Sequence, residues 1–123
     1  MEERKVGNLG LTSSIVGLGC MGMTGAYGAA DESESIATIR RALELGVEMF
    51  DTADVYGPFA GEKLLGRALK GRRDEAVIAT KFGGAEMDDT GNVIGGPNGH
   101  PDYVRSSEVI SATFISGSRV RNE

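Results

Sequence analysis

Apolar residues recur at helical spacing in two stretches of the chain and gather into short runs in three others, and the two kinds alternate. Ile36, Ile39, Ala42 and Leu43 fall on one face of a helix. Asp31 stands before them as a cap, Glu34 three residues on completes a capping-box pattern, and Gly46 sits where a left-handed terminator belongs. Leu64, Leu65, Ala68 and Leu69 predict a second helix over Glu62 to Lys70, with Gly71 as its stop. The short runs read as strands. Ser13 to Gly19, bounded by glycine, predicts a buried strand; Val47 to Asp51 predicts a second, and Ala76 to Thr80 a third. Such alternation argues for parallel strands joined by helical crossovers. Ahead of it, Gly7-Asn8 and Gly10 predict a turn between two short strands within Val6 to Leu11.

The remainder is weaker in pattern. A Gly-rich loop runs to Ala30, and Gly83 to Gly99 reads as loop throughout. Pro101 suits the first position of a third helix. From Ser106 to Ser118 serine and threonine dominate, and Val109, Ile110, Phe114 and Ile115 give no sustained stripe. The chain therefore divides into a domain over 1–106 and a divergent tail, expected to be unstructured, over 107–123.

Composition narrows the function classes. With 123 residues, 40% hydrophobic content and 19 glycines, the chain is of one domain's length and ordinary globular make-up. A net charge of -5 gives no basic face for nucleic acid. No apolar run approaches the roughly 20 residues of a membrane span, and Met1-Glu2-Glu3-Arg4-Lys5 is not a signal peptide's start. Cys20 is alone, so no internal disulfide forms, and a reducing cytoplasm is the expected setting.

The chemistry gathers at the strand ends. In parallel α/β folds the carboxyl ends of strands face the active site. Asp51 ends the second predicted strand, Lys81 follows the third, and Tyr56 lies in the loop beyond Asp51. A Lys81 ammonium near Tyr56 favours the ionised phenol, and Asp51 keeps that ammonium charged and oriented. Tyr56 is then able to give a proton to a carbonyl oxygen. Hydride has to come from a cofactor, because no side chain supplies it.

These residues stand in longer words: Leu18-Gly19-Cys20-Met21-Gly22-Met23, Phe50-Asp51-Thr52-Ala53-Asp54-Val55-Tyr56-Gly57-Pro58, Leu64-Leu65-Gly66-Arg67-Ala68-Leu69 and Thr80-Lys81-Phe82-Gly83. Over Arg4 to Ser106 the chain resembles the aldo-keto reductases. The resemblance implies the first three β/α units of a (β/α)8 TIM barrel, preceded by a β-hairpin that closes the barrel's bottom. It implies NADPH, with NADH possible, as cofactor and a small aldehyde or ketone as substrate. Asp51, Tyr56 and Lys81 match three of the family's four catalytic residues, with Tyr56 the general acid. Gly22 and Met23, with Asp51, match cofactor-binding positions. The fourth catalytic residue, a histidine after the third helix, has no counterpart, since His100 precedes that helix. A barrel of this type needs about 250 residues. The chain is therefore expected to be an N-terminal part without turnover of its own; the alternative is a truncated, non-catalytic fragment with a binding role or none. Its oligomeric state is left open.

Three rival signals fail on spacing. Gly17-Leu18-Gly19-Cys20-Met21-Gly22 spells a dinucleotide-binding fingerprint, but the helix that must open there begins only near Asp31. Asp88-Asp89-Thr90-Gly91-Asn92 has too few spaced oxygens for a calcium loop and reads as a flexible segment bordering the substrate mouth. Cys20 has no convincing base beside it and reads as a buried or loop thiol.

Overall fold

The computed structural model describes residues 1–88 and 90–106; the expected tail, 107–123, lies outside the described residues. The chain opens on an antiparallel hairpin, β1 (Glu3–Val6) against β2 (Leu11–Ser14), with Val6 opposite Leu11. Gly7 and Gly10, at φ 67° and 82°, supply the left-handed backbone that turns it. Ser14 ties the hairpin to the main sheet. Its Oγ donates to Val16 O at 2.7 Å and accepts from Glu48 N at 2.9 Å.

The predicted alternation follows. β3 (Gly17–Gly19), α1 (Glu32–Glu44), β4 (Met49–Asp51), α2 (Ala60–Ala68) and β5 (Val77–Ala79) build a parallel sheet in the order β3-β4-β5. Asp31 caps α1 as its sequence implied, its carboxylate accepting from Glu34 N at 2.8 Å. At the other end Gly46 N donates to Leu43 O and Val47 N to Ala42 O, both at 2.9 Å. This is the paired-bond terminator that a glycine at φ 82° permits. The chain then enters β4 directly.

The core lies between the sheet and the two helices. Phe50 is fully buried, flanked in register by Leu18 and Ile78, and packs in a cluster with Ile39, Leu43, Leu65, Ala68 and Leu69. Each such large side chain, taken fully out of water, contributes about 1.5–3 kcal/mol. Arg40 joins the helices, its Nε donating to Ala68 O at 3.3 Å near the end of α2.

Three expectations need correction. The run Ser13 to Gly19 is not one buried strand: Ser13 and Ser14 belong to the hairpin, and Ile15 and Val16 are 48% and 51% exposed. The reason is that Ile15 and Val16 fall in the bend between β2 and β3 rather than in either strand. The second helix starts at Ala60, two residues before Glu62, so Glu62 lies inside it. Finally, Gly83 to Gly99 is not loop throughout. It holds a second antiparallel hairpin, β6 (Glu86–Met87) against β7 (Val93–Gly95). Local polar chemistry folds it: Asp88 Oδ1 accepts from Thr90 N and Asn92 N, each at 2.9 Å. Tyr103, in the helix over 101–106 that Pro101 predicted, holds it from outside; the hydroxyl donates to Ala85 O at 3.0 Å and accepts from Met87 N at 3.3 Å.

Candidate active site

Side chains alternate across a strand, so with Phe50 directed at the helices, Asp51 takes the opposite face of the sheet. Its register neighbours are Gly19 and Ala79, both too small to cover it. The Asp51 side chain is accordingly 49% exposed. Beyond the ends of β4 and β5 the ladder runs on: Thr52 N donates to Ala79 O at 2.9 Å, Lys81 N to Thr52 O at 3.2 Å, and Asp54 N to Lys81 O at 3.0 Å. That continuation lays Lys81 beside the segment carrying Asp51. The result is a hydrogen-bonded ion pair, Lys81 Nζ to Asp51 Oδ1 at 2.6 Å.

Tyr56 is brought in by the turn that leads to α2. Tyr56 N donates to Ala53 O at 3.2 Å, Gly57 takes a left-handed φ of 56°, and Gly61 N donates to Tyr56 O at 2.9 Å. The turn places the ring under the Lys81 ammonium, 5.1 Å from Nζ to the ring centroid. Partial burial pulls the Lys81 pKa down; the hydrogen bonds and charges of Asp51 and Tyr56 outweigh it, and the net shift is upward. The structure thus brings Asp51, Tyr56 and Lys81 into one cluster.

Gly22 and Met23 occupy a single 3₁₀ turn, Met21–Thr24, directly after β3. Cys20 N donates to Asp51 O at 2.9 Å, which ties the start of that turn to the end of β4. A surface hollow of about 410 Å³ is lined by Gly19, Gly22, Met23, Tyr27 and Asp31 among others. Met23 offers it an apolar wall, since its side chain packs against the core and its N–H is taken by Cys20 O at 3.1 Å. At Gly22 a Cβ would meet the ring of the exposed Tyr27 at 3.1 Å. Gly22 and Met23 thus meet the hollow as part of its wall.

Two other titratable residues resolve as structural. Cys20 is 1% exposed, and burial, reinforced by the charge of Asp51 and opposed by that of Lys81, pushes its thiol up to about 11. It is therefore protonated at neutral pH and no nucleophile. His100 stands at the start of the helix over 101–106, its Nδ1 accepting from Asp102 N at 3.4 Å.

The sequence reading passed over two buried carboxylates beside the cluster. Asp54 is 1% exposed, and its Oδ2 accepts from Gly83 N at 3.2 Å. Glu62 is fully buried in α2, and its Oε1 accepts from Thr80 Oγ1 at 2.7 Å. A signal for Glu62 existed: it precedes Leu65 by three residues and Leu69 by seven, on the buried stripe of the helix. Asp54 sits in an aperiodic turn and carried none.

The model of the Aldo/keto reductase family matches residues 15–111. The probable aldo-keto reductase 1 of Glycine max is 46% identical over 108 residues, which is 86% of this chain and 30% of that protein. Among solved structures, the holo form of aldo-keto reductase AKR11C1 from Bacillus halodurans superposes with a TM-score of 0.78 at 30% identity, covering 94% of this chain and 36% of that one. The glycerol dehydrogenase AKR11B4 from Gluconobacter oxydans does so with a TM-score of 0.74 at 27% identity, covering 92% and 35%. The chain spans about a third of the length of these relatives. Its sheet and covering helices are part of a (β/α)8 barrel.

Proposed function

The chain belongs to the aldo-keto reductase family, and on that premise we propose that it carries the proton-handling part of a nicotinamide-dependent carbonyl reductase site. One observation carries the reading. The Lys81 ammonium lies 2.6 Å from Asp51 Oδ1 and 5.1 Å from the centre of the Tyr56 ring, at the carboxyl ends of neighbouring parallel strands.

Tyr56 gives its phenolic proton to the carbonyl oxygen of a small aldehyde or ketone as the carbonyl carbon is reduced, and an alcohol leaves. The ammonium beside the ring lowers the cost of the phenolate left behind. Asp51 holds that ammonium in place and keeps it charged through the reaction. NADPH, or NADH in its stead, supplies the hydride when bound. Gly22, Met23 and Asp51 are the residues of this chain proposed to hold it. The 123 residues furnish three of the four catalytic groups that the family resemblance implies, so by themselves they are proposed to turn over no carbonyl. Among the described residues no helix is long and apolar enough to cross a membrane. A cytoplasmic setting is part of the same proposal.

The test grafts residues 1–106 onto the Glycine max relative in place of its matching segment and follows NADPH oxidation with a reactive aldehyde. Tyr56→Phe in that chimera is expected to lower kcat by about 10²- to 10⁴-fold and leave the NADPH titration, read by fluorescence, unchanged. Turnover that survives Tyr56→Phe removes the assignment of the general acid.

A further inference from the structure

Lys81 has its ammonium at the candidate site, but its backbone is held by a residue that the proton-transfer scheme does not use. Asp54, two residues before Tyr56, touches the Lys81 strand end twice. Its N–H donates to Lys81 O at 3.0 Å, and its buried carboxylate accepts from Gly83 N at 3.2 Å. A third bond returns to the other side, Phe59 N to Asp54 O at 2.8 Å, at the residue that caps α2. One residue therefore joins the segment after β5, the Tyr56 turn and the start of α2.

The carboxylate has no exposure to speak of, and burying a charge is costly unless hydrogen bonds compensate it. Its place is not explained by solubility or by a helix cap. Gly83 itself is held tightly. Its φ is +73°, its carbonyl accepts from Asn98 N at 3.1 Å, and a Cβ there would meet Asn98 O at 2.6 Å. With Gly83 fixed on one side and Lys81 O on the other, the Lys81 backbone cannot shift the root of its side chain away from Asp51 and Tyr56 without breaking one of these bonds. On the preceding residue, Thr80 Oγ1 donates to the buried Glu62 at 2.7 Å, a second restraint, this one from α2.

We infer that Asp54 is the positioning residue for Lys81: through the hydrogen bond its carboxylate accepts from Gly83 N–H, it sets the ammonium over the Tyr56 ring. The role rests on the reductase reading for its meaning but not for its test, which needs neither cofactor nor turnover. It also separates two ways in which a buried acid could act. If acceptance of the hydrogen bond is what counts, an amide oxygen does the same work as a carboxylate; if negative charge counts, it does not.

The experiment uses the full 123-residue chain with lysine labelled at Cε, and follows the Lys81 titration by NMR in the parent, Asp54→Asn, Asp54→Ala and Asp51→Asn. Asp54→Ala is expected to lower the Lys81 midpoint to that of Asp51→Asn, while Asp54→Asn keeps it near the parent. Both Asp54 variants lose the same charge, so charge does not account for a difference between them, and the Gly83 amide readout separates the hydrogen bond from the volume that alanine also removes. A midpoint unmoved in Asp54→Ala, or lowered equally in both variants, overturns the inference. A second readout does not depend on whether Asp54→Ala folds. Hydrogen exchange at the Gly83 amide is expected to be slowed roughly fivefold or more in the parent and in Asp54→Asn, and free exchange in either also overturns it.

Discussion

Gly61 stands in the first turn of α2, against the back of Tyr56, and Gly61→Ala sets two effects of opposite sign against each other. Replacing a helical glycine by alanine ordinarily gains about 0.5–1 kcal/mol, because the unfolded chain loses freedom and the helix loses none. Here the added Cβ would lie 3.0 Å from Tyr56 Cβ, 3.1 Å from Tyr56 O and 3.4 Å from Thr24 Cγ2. Carbon contacts settle at about 3.5–4.0 Å, so two of the three neighbours have to yield by roughly half an ångström. One of them is the acceptor of Gly61's own N–H, at 2.9 Å, and retreat there weakens that bond. Overpacking of this kind costs about 1–3 kcal/mol. The clash therefore wins, and the net expectation is a loss of about 0.5–2 kcal/mol, with Tyr56 displaced. Urea unfolding gives the first quantity. The second is read from the Lys81 Cε resonance, which the Tyr56 ring shifts while the ammonium lies over it. A variant as stable as the parent or more so, with that resonance unmoved, refutes the packing argument.

Other expectations follow from single contacts. Leu65→Ala removes a side chain with no exposure from the centre of the core and should cost about 2–5 kcal/mol in a denaturant titration. Asp51→Asn takes away the hydrogen-bonding anion that raises Lys81, so the lysine's NMR titration midpoint should fall; an unchanged midpoint removes the ion pair from the account. Alkaline stability has a definite sign. The Cys20 thiol ionises from 9.0 when free and about 11 in the fold, so the folded state binds more protons between those values. Its contribution is present below pH 9.0 and declines as pH rises toward about 11. The parent should lose stability over that window more steeply than Cys20→Ala, measured by urea midpoints at each pH.

How far the sequence carried depends on whether a residue's environment repeats. Ile39, Leu43, Leu65 and Leu69 announce their burial by spacing, and Asp31 and Gly46 announce where a helix must start and stop; all of these stand where they were expected. Asp51 and Lys81 were placed by the rule that strand ends converge, and Asp51 Oδ1 and Lys81 Nζ do meet. What stayed hidden was set by three-dimensional closure. The exposure of Ile15 and Val16 follows from the bend between the hairpin and the main sheet, which an unbroken apolar run does not announce. The β6–β7 hairpin is turned locally by Asp88, but Tyr103, which pins it, finds its partners Met87 and Ala85 16 and 18 residues back. Asp54 looked like any polar turn residue, because only its bond to Gly83 distinguishes it.

The pair at the heart of the site is close in sequence as well as in space. Lys81 and Asp51 are thirty positions apart, with Tyr56, Asp54, Glu62 and Gly83 within or next to the same interval. The chain-entropy cost of bringing two points together grows only logarithmically with the length between them, so this interval is a short span to close. A growing polypeptide reaches its last member, Gly83, within seconds at about 5–20 residues per second. The acid and its cation are therefore arranged by one β-α-β crossover, with no more distant segment needed to bring them together.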